Sequence, residues 1–311
     1  MSECVLCPRK CRADRECGQV GYCGVPAELK IARAGLHLWE EPCLSGKRGA
    51  GAVFFSGCNL RCGYCQNYDV SHAAKGYAVS DGELYDIFAR LVSIGAENID
   101  LVTPDHYTDR LIPILKKFKE KFSLPIVWNS GGYASAETLR RLSGLVDIYL
   151  PDFKYADSAL AGKFSGAPDY PEVAQAALTE MFSQVGRVRL NENGKMLSGL
   201  IVRHLVLPGY RQQSMEALRR LASFLPVKEI YLSLMSQYTP AFASHLPEKN
   251  MRRKVTAFEY QTVLDAADEL GFEGYSQKRS SAERVYTPAF FSQKPEGDGV
   301  VAPDDTSFQI V

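Results

Sequence analysis

Beyond residue 80 the apolar positions alternate between stretches with helical spacing and short runs that are apolar throughout. Ser80 and Glu83 form a capping box ahead of Leu84, Ile87, Phe88, Leu91 and Val92, whose three-and-four spacing predicts a helix that Gly95 ends. A strand is expected at 98–103. Leu111, Leu115, Phe118 and Phe122 mark the next helix, followed by a buried strand at 125–128, a helix through Leu139 and Leu142, and a strand at 146–150. A polar stretch rich in Gly and Asp around 157–170 reads as an insertion. After it come a helix near 171–183, a strand at 200–207, a helix at 212–224, a strand at 229–234, and a helix capped by Thr256 and Glu259 and closed by Gly271. With the run Val53-Phe54-Phe55 as the first, six strands each followed by a helix predict an α/β fold on a parallel sheet, which right-handed crossovers curl toward a barrel.

The ends of the chain do not share this pattern. Three segments are expected: a cysteine-rich extension and lead-in at 1–50, the α/β domain at 51–285, and an irregular tail at 286–311 around Pro295-Glu296-Gly297-Asp298-Gly299. Lys plus Arg and Asp plus Glu balance at 36 each, so no net field draws the chain to nucleic acid or to an acidic membrane surface. The N-terminus lacks the apolar core of a signal peptide, and no run approaches membrane-spanning length. A soluble protein without membrane or nucleic-acid partners is expected.

The cysteines change the picture, because all nine precede residue 66. Disulfide scaffolding would not be confined in this way, whereas metal ligation would, and that implies a reducing, cytoplasmic setting. Cys58, Cys62 and Cys65 follow the first strand directly, spaced Cys-x3-Cys-x2-Cys. Three thiolates on one tight loop can hold three irons of a four-iron four-sulfur cluster and leave the fourth open. Zinc ligands completed by a distant residue, or buried thiols without a ligand, are the other readings. Cys4, Cys7, Cys11, Cys17 and Cys23 lie in a loop-rich stretch that cannot build an apolar core, and zinc, a second iron–sulfur cluster or reduced thiols all suit it. His37, Glu40, Glu41 and Cys43 are expected on an exposed polar strand edge; an acid–base or second metal group is the alternative.

The loop Cys58-Asn59-Leu60-Arg61-Cys62-Gly63-Tyr64-Cys65 resembles the signature of the radical S-adenosylmethionine (radical SAM) superfamily, and within it the relatives of pyruvate formate-lyase activating enzymes. The pattern Cys4-x2-Cys7-Pro8-Arg9-x-Cys11, followed by Gly21-x-Cys23, and the run His37-x2-Glu40-Glu41-Pro42 resemble elements that precede the loop in that subgroup. The resemblance implies an open (β/α)6 partial barrel and a [4Fe–4S] cluster on Cys58, Cys62 and Cys65, the catalytic centre. It also implies S-adenosylmethionine, an electron donor such as flavodoxin or ferredoxin, and a second metal or cluster on Cys4, Cys7, Cys11 and Cys23. The implied reaction reduces S-adenosylmethionine to methionine and a 5′-deoxyadenosyl radical, which takes a hydrogen atom from a substrate. In activating enzymes that substrate is a glycine of a glycyl radical enzyme; another peptide, a metabolite or RNA is the alternative. Of a different class is a nonenzymatic metal-binding or electron-transfer protein.

Working residues of parallel barrels sit at the carboxyl ends of strands. There the chain offers Thr103 and Asp105, Asn129, Asp152 with Lys154, and Arg203, while Tyr64 on the cysteine loop is expected near the adenine. Asp152 and Lys154 leave one strand end toward the same face and suit the ammonium and carboxylate of the cofactor. They resemble an Asp-x-Lys element, and Arg203 the arginine of an Arg-x4-Pro-Gly element, of the activating-enzyme relatives. Two departures separate this chain from them. Thr103-Pro104-Asp105 stands where relatives carry Gly-Gly-Glu-Pro, and Gln237-Tyr238 where they carry a histidine.

Overall fold

The computed structural model describes residues 3–277 and 308–310. Its strands are β1 (Lys30–His37), β2 (Ala50–Phe55), β3 (Tyr77–Ala78), β4 (Ile99–Val102), β5 (Ile126–Ser130), β6 (Ile148–Pro151), β7 (Arg189–Leu190), β8 (Met196–Leu205), β9 (Tyr231–Met235), β10 (Glu273–Gln277) and β11 (Phe308–Ile310). The helices are α1 (Pro42–Ser45), α2 (Tyr68–Ser71), α3 (Asp81–Ser93), α4 (Thr108–Lys121), α5 (Ala136–Arg140), α6 (Ser158–Ser165), α7 (Tyr170–Val185), α8 (Arg211–Phe224) and α9 (Ala257–Glu269).

Strands β2, β4, β5, β6, β8, β9 and β10 lie side by side in that order, each parallel to its neighbours. Every crossover steps in the same direction, so right-handed connections carry the helices to one face of the sheet. There α3 packs on α4, α5 on α7, α7 on α8 and α8 on α9. The first and last of these parallel strands are not neighbours, which leaves the sheet open. All residues of β2, β5 and β6 are buried, as the unbroken apolar runs require of strands covered on both faces.

The six expected strands are all present, and β10 adds a seventh parallel one. Its Glu-Gly-Tyr-Ser-Gln sequence carries no aliphatic run. At Gly274, with φ +148°, a Cβ would stand 2.0 Å from the Leu232 carbonyl oxygen, so close approach dictates the residue there. The polar insertion also contains a helix, α6, opened by the Asp157 carboxylate accepting from the Leu160 amide at 2.7 Å. Both expected capping boxes form: Ser80 with Glu83, and Thr256 with Glu259. Each helix then buries its apolar face, Leu84, Phe88 and Leu91 in α3, at about 1.5–3 kcal/mol for a fully buried side chain.

The lead-in joins the sheet. β1 pairs antiparallel with β2 from Ile31 opposite Phe55 to His37 opposite Ala50, and β3 pairs with β1. At the far edge β11 pairs antiparallel with β10. Apart from that strand, the irregular tail expected at 286–311 lies outside the described residues. No helix among the described residues is long and apolar enough to cross a membrane.

Candidate active site

The parallel strands end around one cavity of about 230 Å³, and the loop after β2 brings Cys58, Cys62 and Cys65 to its wall. Leu60 and Tyr64 pack the loop into the core, and backbone contacts fix its path. Gly57 takes φ +87°, and a Cβ on it would stand 2.6 Å from the Cys23 carbonyl oxygen, which accepts from the Cys58 amide at 3.0 Å. Each sulfur receives a donor: the Leu60 amide to Cys58 at 3.4 Å, Ser165 Oγ to Cys62 at 3.0 Å, and Ser71 Oγ to Cys65 at 3.3 Å. Because Ser165 spends its proton on Cys62, Tyr155 donates to Ser165 at 2.8 Å and Tyr64 donates to Tyr155 at 2.7 Å. The hydroxyl protons therefore all point toward the sulfur.

Burial pushes the Cys58 thiol up to about 12, with Cys62 and Cys65 adding to the rise, and burial also raises Cys65. Neighbouring buried thiols of this kind ionise only beside a cation, which fits a metal-bearing donor set. Among the described residues no three His, Cys, Asp or Glu side chains converge as ligands of a single metal ion would. A four-iron cubane is wider than an ion and spreads its thiolates over separate corners. Three thiols on one cavity wall, each with a hydrogen-bond donor on its sulfur, match that requirement.

Another part of the lining is charged. Arg203 donates from Nε to Asp152 at 3.0 Å, from Nη1 to Glu40 at 3.4 Å and from Nη2 to the Asn129 side-chain oxygen at 2.5 Å. Lys154 donates to the other Asp152 oxygen. Burial raises Asp152, but Lys154 and Arg203 outweigh it and hold the carboxyl below the usual range. Asp152 and Lys154, expected to receive opposite charges of a ligand, are thus paired with each other on the cavity wall.

Thr103 also lines the cavity, at φ +59°, a left-handed conformation uncommon for a β-branched residue and costing on the order of 1–3 kcal/mol. Its amide donates to the Asn129 carbonyl at 2.7 Å. Asp105 does not join Thr103, Asn129, Asp152, Lys154, Arg203 and Tyr64 there. The turn after Pro104 buries it, where it accepts from Trp128 Nε1 at 3.0 Å and burial pushes it up to about 6.

Glu40 and Glu41 are the residues that sequence reasoning set aside. The expectation of an exposed strand edge is overturned: both carboxyls are buried, Glu41 to 1% exposure, and both line the cavity with His37 and Trp39. The chain leaves β1 inward rather than along the surface. Two adjacent acids followed by Pro42 carry no signal of this inward path in the sequence. Cys43 lies beneath, in an apolar cluster with Tyr275 and Tyr231.

Cys4, Cys7, Cys11 and Cys23 gather behind the cysteine loop. Burial pushes Cys7 up to about 12, with Cys23 and Cys4 adding to it, and the sulfurs of Cys11 and Cys23 flank Gly21. Cys17 is exposed. Arg9 ties this segment to the site, donating to the carbonyls of Asn59 at 2.8 Å, Ser165 at 2.8 Å and Gly166 at 2.5 Å.

The model of the Radical SAM superfamily matches residues 52–232, more than half of the chain. The uncharacterized protein MJ0674 of Methanocaldococcus jannaschii is 27% identical over 284 residues, which cover 87% of this chain and 75% of that protein. Among solved structures, Streptococcus suis SuiB bound to its precursor peptide SuiA is similar with TM-score 0.48 and 13% identity, over 68% of this chain and 44% of SuiB. Methylornithine synthase (PylB) is similar with TM-score 0.45 and 17% identity, over 67% of this chain and 58% of that enzyme. The chain thus spans about half the length of those two structures.

Proposed function

Because the chain belongs to the radical SAM superfamily, we propose that its cavity holds a [4Fe–4S] cluster on Cys58, Cys62 and Cys65 and that Arg203, Asp152 and Lys154 would bind S-adenosylmethionine there. When bound, cluster and cofactor supply one-electron cleavage of the sulfonium to methionine and a 5′-deoxyadenosyl radical that abstracts hydrogen from the substrate. What supports the reading is that three hydrogen-bonded thiols and a buried charged triad face one cavity at the carboxyl ends of parallel strands.

The chain's own residues do the rest. Ser165, Ser71 and the Leu60 amide stabilise negative charge on the sulfurs and orient them. Lys154 and Asp152, with Arg203 and Asn129 fixing Asp152 and Arg203 in place, meet the carboxylate and ammonium of the cofactor. Leu60, Phe55, Val102 and Met235 line the cavity with apolar surface that keeps water from the reacting centre. The fold we assign is the superfamily's open partial barrel, (β/α)6 with β10 added, preceded by a cysteine-rich extension.

Two finer statements belong to the same proposal. Cys4, Cys7, Cys11 and Cys23 hold a second iron–sulfur cluster, supported by their mutual proximity, and zinc is the poorer occupant because no three of them converge as on a single ion. The substrate inherited from the resemblance is a glycine of a glycyl radical enzyme, with flavodoxin or ferredoxin as the electron source.

The test is anaerobic reconstitution with iron and sulfide, reduction with dithionite, and measurement of 5′-deoxyadenosine formed from S-adenosylmethionine. Wild-type protein is expected to form it, and Cys58→Ala to form none. Zinc in place of iron, with no cleavage, sinks the proposal.

A further inference from the structure

The segment 37–41 leaves β1 and ends inside the sheet, where Glu40 and Glu41 line the inner part of the cavity and Asp100 of β4 lies behind them. The charges there do not balance. Of the charged groups lining the cavity, Glu40, Glu41 and Asp152 outnumber Lys154 and Arg203, Asp100 adds a further acid hydrogen-bonded to Glu40, and the arginine is already committed to Asp152, Glu40 and Asn129. His37 supplies no charge, since burial, with Arg33 and Arg203 nearby, pushes it down to about 4. Glu41 is left over. Its Oε2 is buried without a hydrogen-bond partner, with the Ser233 hydroxyl and the Arg203 charge nearby.

A carboxyl sealed from water without a hydrogen-bonded counter-ion is costly, and a fold tolerates one where something else completes it. The same segment presents the Trp39 ring to the cavity, and Phe54 lines it as well. A carboxylate beside an indole face is the chemistry that recognises an organic cation, by a charge-assisted hydrogen bond and a cation–π contact. A metal ion is the poorer occupant, because no three carboxyls or imidazoles among the described residues converge on a point.

We propose that the inner end of this cavity seats the substrate, and that the substrate presents an organic cation, a primary ammonium or guanidinium group, to Glu41 and Trp39. The inference rests on the radical SAM reading for calling the occupant a substrate, but the binding chemistry is independent of it. The cofactor's own ammonium is assigned to Asp152, a different carboxylate from Glu41.

The two tryptophans of the chain are Trp39 and Trp128, and of these only Trp39 lines the cavity. Emission of the reconstituted holoenzyme is therefore titrated with n-butylamine and with agmatine, and with 1-butanol as the neutral isostere, in the presence and absence of S-adenosylmethionine. Both cations are expected to give a saturable change, unaffected by the cofactor and lost in Trp39→Phe, while 1-butanol gives none. Glu41→Gln is expected to weaken cation binding at least about tenfold. An equal response to 1-butanol, unchanged affinity in Glu41→Gln, or displacement by S-adenosylmethionine overturns the proposal. The first comparison needs no variant, so it holds even where Glu41→Gln fails to fold. Formation of 5′-deoxyadenosine without probe is measured on the same sample. Its absence alongside intact cation selectivity sinks the radical SAM reading alone, and its presence without selectivity sinks only this inference.

Discussion

At the scale of single residues, Glu41 shows how the site strains the fold. Burial pushes its carboxyl up to about 7, with Arg203 pulling it partly back. A raised carboxyl binds its proton more tightly folded than unfolded, so its stability contribution is fullest below about pH 4.5 and is lost as pH rises toward 7. Glu41→Gln removes that loss. Denaturant unfolding should show the variant more stable than wild type at pH 8, by on the order of 2 kcal/mol, with the gap closing toward pH 4.5; no gap at pH 8 refutes the assignment. None of this was legible in the sequence, where two acids before a proline look the same on a strand edge or inside a sheet. That the three thiols of the loop come to one cavity wall was legible, because they lie within eight residues after a strand. Asp105 was misjudged for a local reason: the turn after Pro104 rotates its side chain away from Thr103 and onto Trp128.

At the scale of elements, the N-terminal segment and the cysteine loop depend on each other. Arg9 reaches the carbonyls of Asn59, Ser165 and Gly166, and so holds together the segment, the loop and the end of α6, whose Ser165 donates to Cys62. Arg15 does the same farther back, donating to the carbonyls of Val25, Pro26 and His106. Arg9→Ala should cost on the order of 2 kcal/mol of stability and lower the iron retained per chain after reconstitution, read by iron analysis and thermal unfolding. Unchanged iron content would separate the segment from the loop. Helices α3 and α9 were predictable because their caps and apolar faces are encoded within one stretch. Strand β10 and helix α6 escaped notice because their stability comes from neighbours: β10 from pairing with β9, and α6 from burying Phe164 and Ala161 in a segment too short to show a helical stripe.

At the scale of the whole molecule, one direction of strand addition brings the strand ends to a single cavity, and the alternation of helix and strand was enough to foresee that layout. The number of strands and the inward path of the lead-in were not foreseeable, since both depend on long-range pairing. The arrangement leaves two separate groups of thiols, one facing the cavity and one behind it. With Cys58, Cys62 and Cys65 all changed to alanine, the protein should keep iron or zinc if the rear quartet binds metal, and lose it when Cys4, Cys7, Cys11 and Cys23 are also replaced. Metal-free triple variant with intact fold would reduce the quartet to plain thiols.

The inward turn of residues 37–41 has a consequence for how such a protein diverges. The thiol loop and the strand-end charges are contributed after residue 50, while the wall carrying Trp39, Glu40 and Glu41 arrives on a separate stretch of chain that enters from the antiparallel edge. The two stretches meet at the bond from Arg203 to Glu40, so exchanges at Trp39 and Glu41 leave that junction whole, whereas an exchange at Glu40 reaches across it to Asp152.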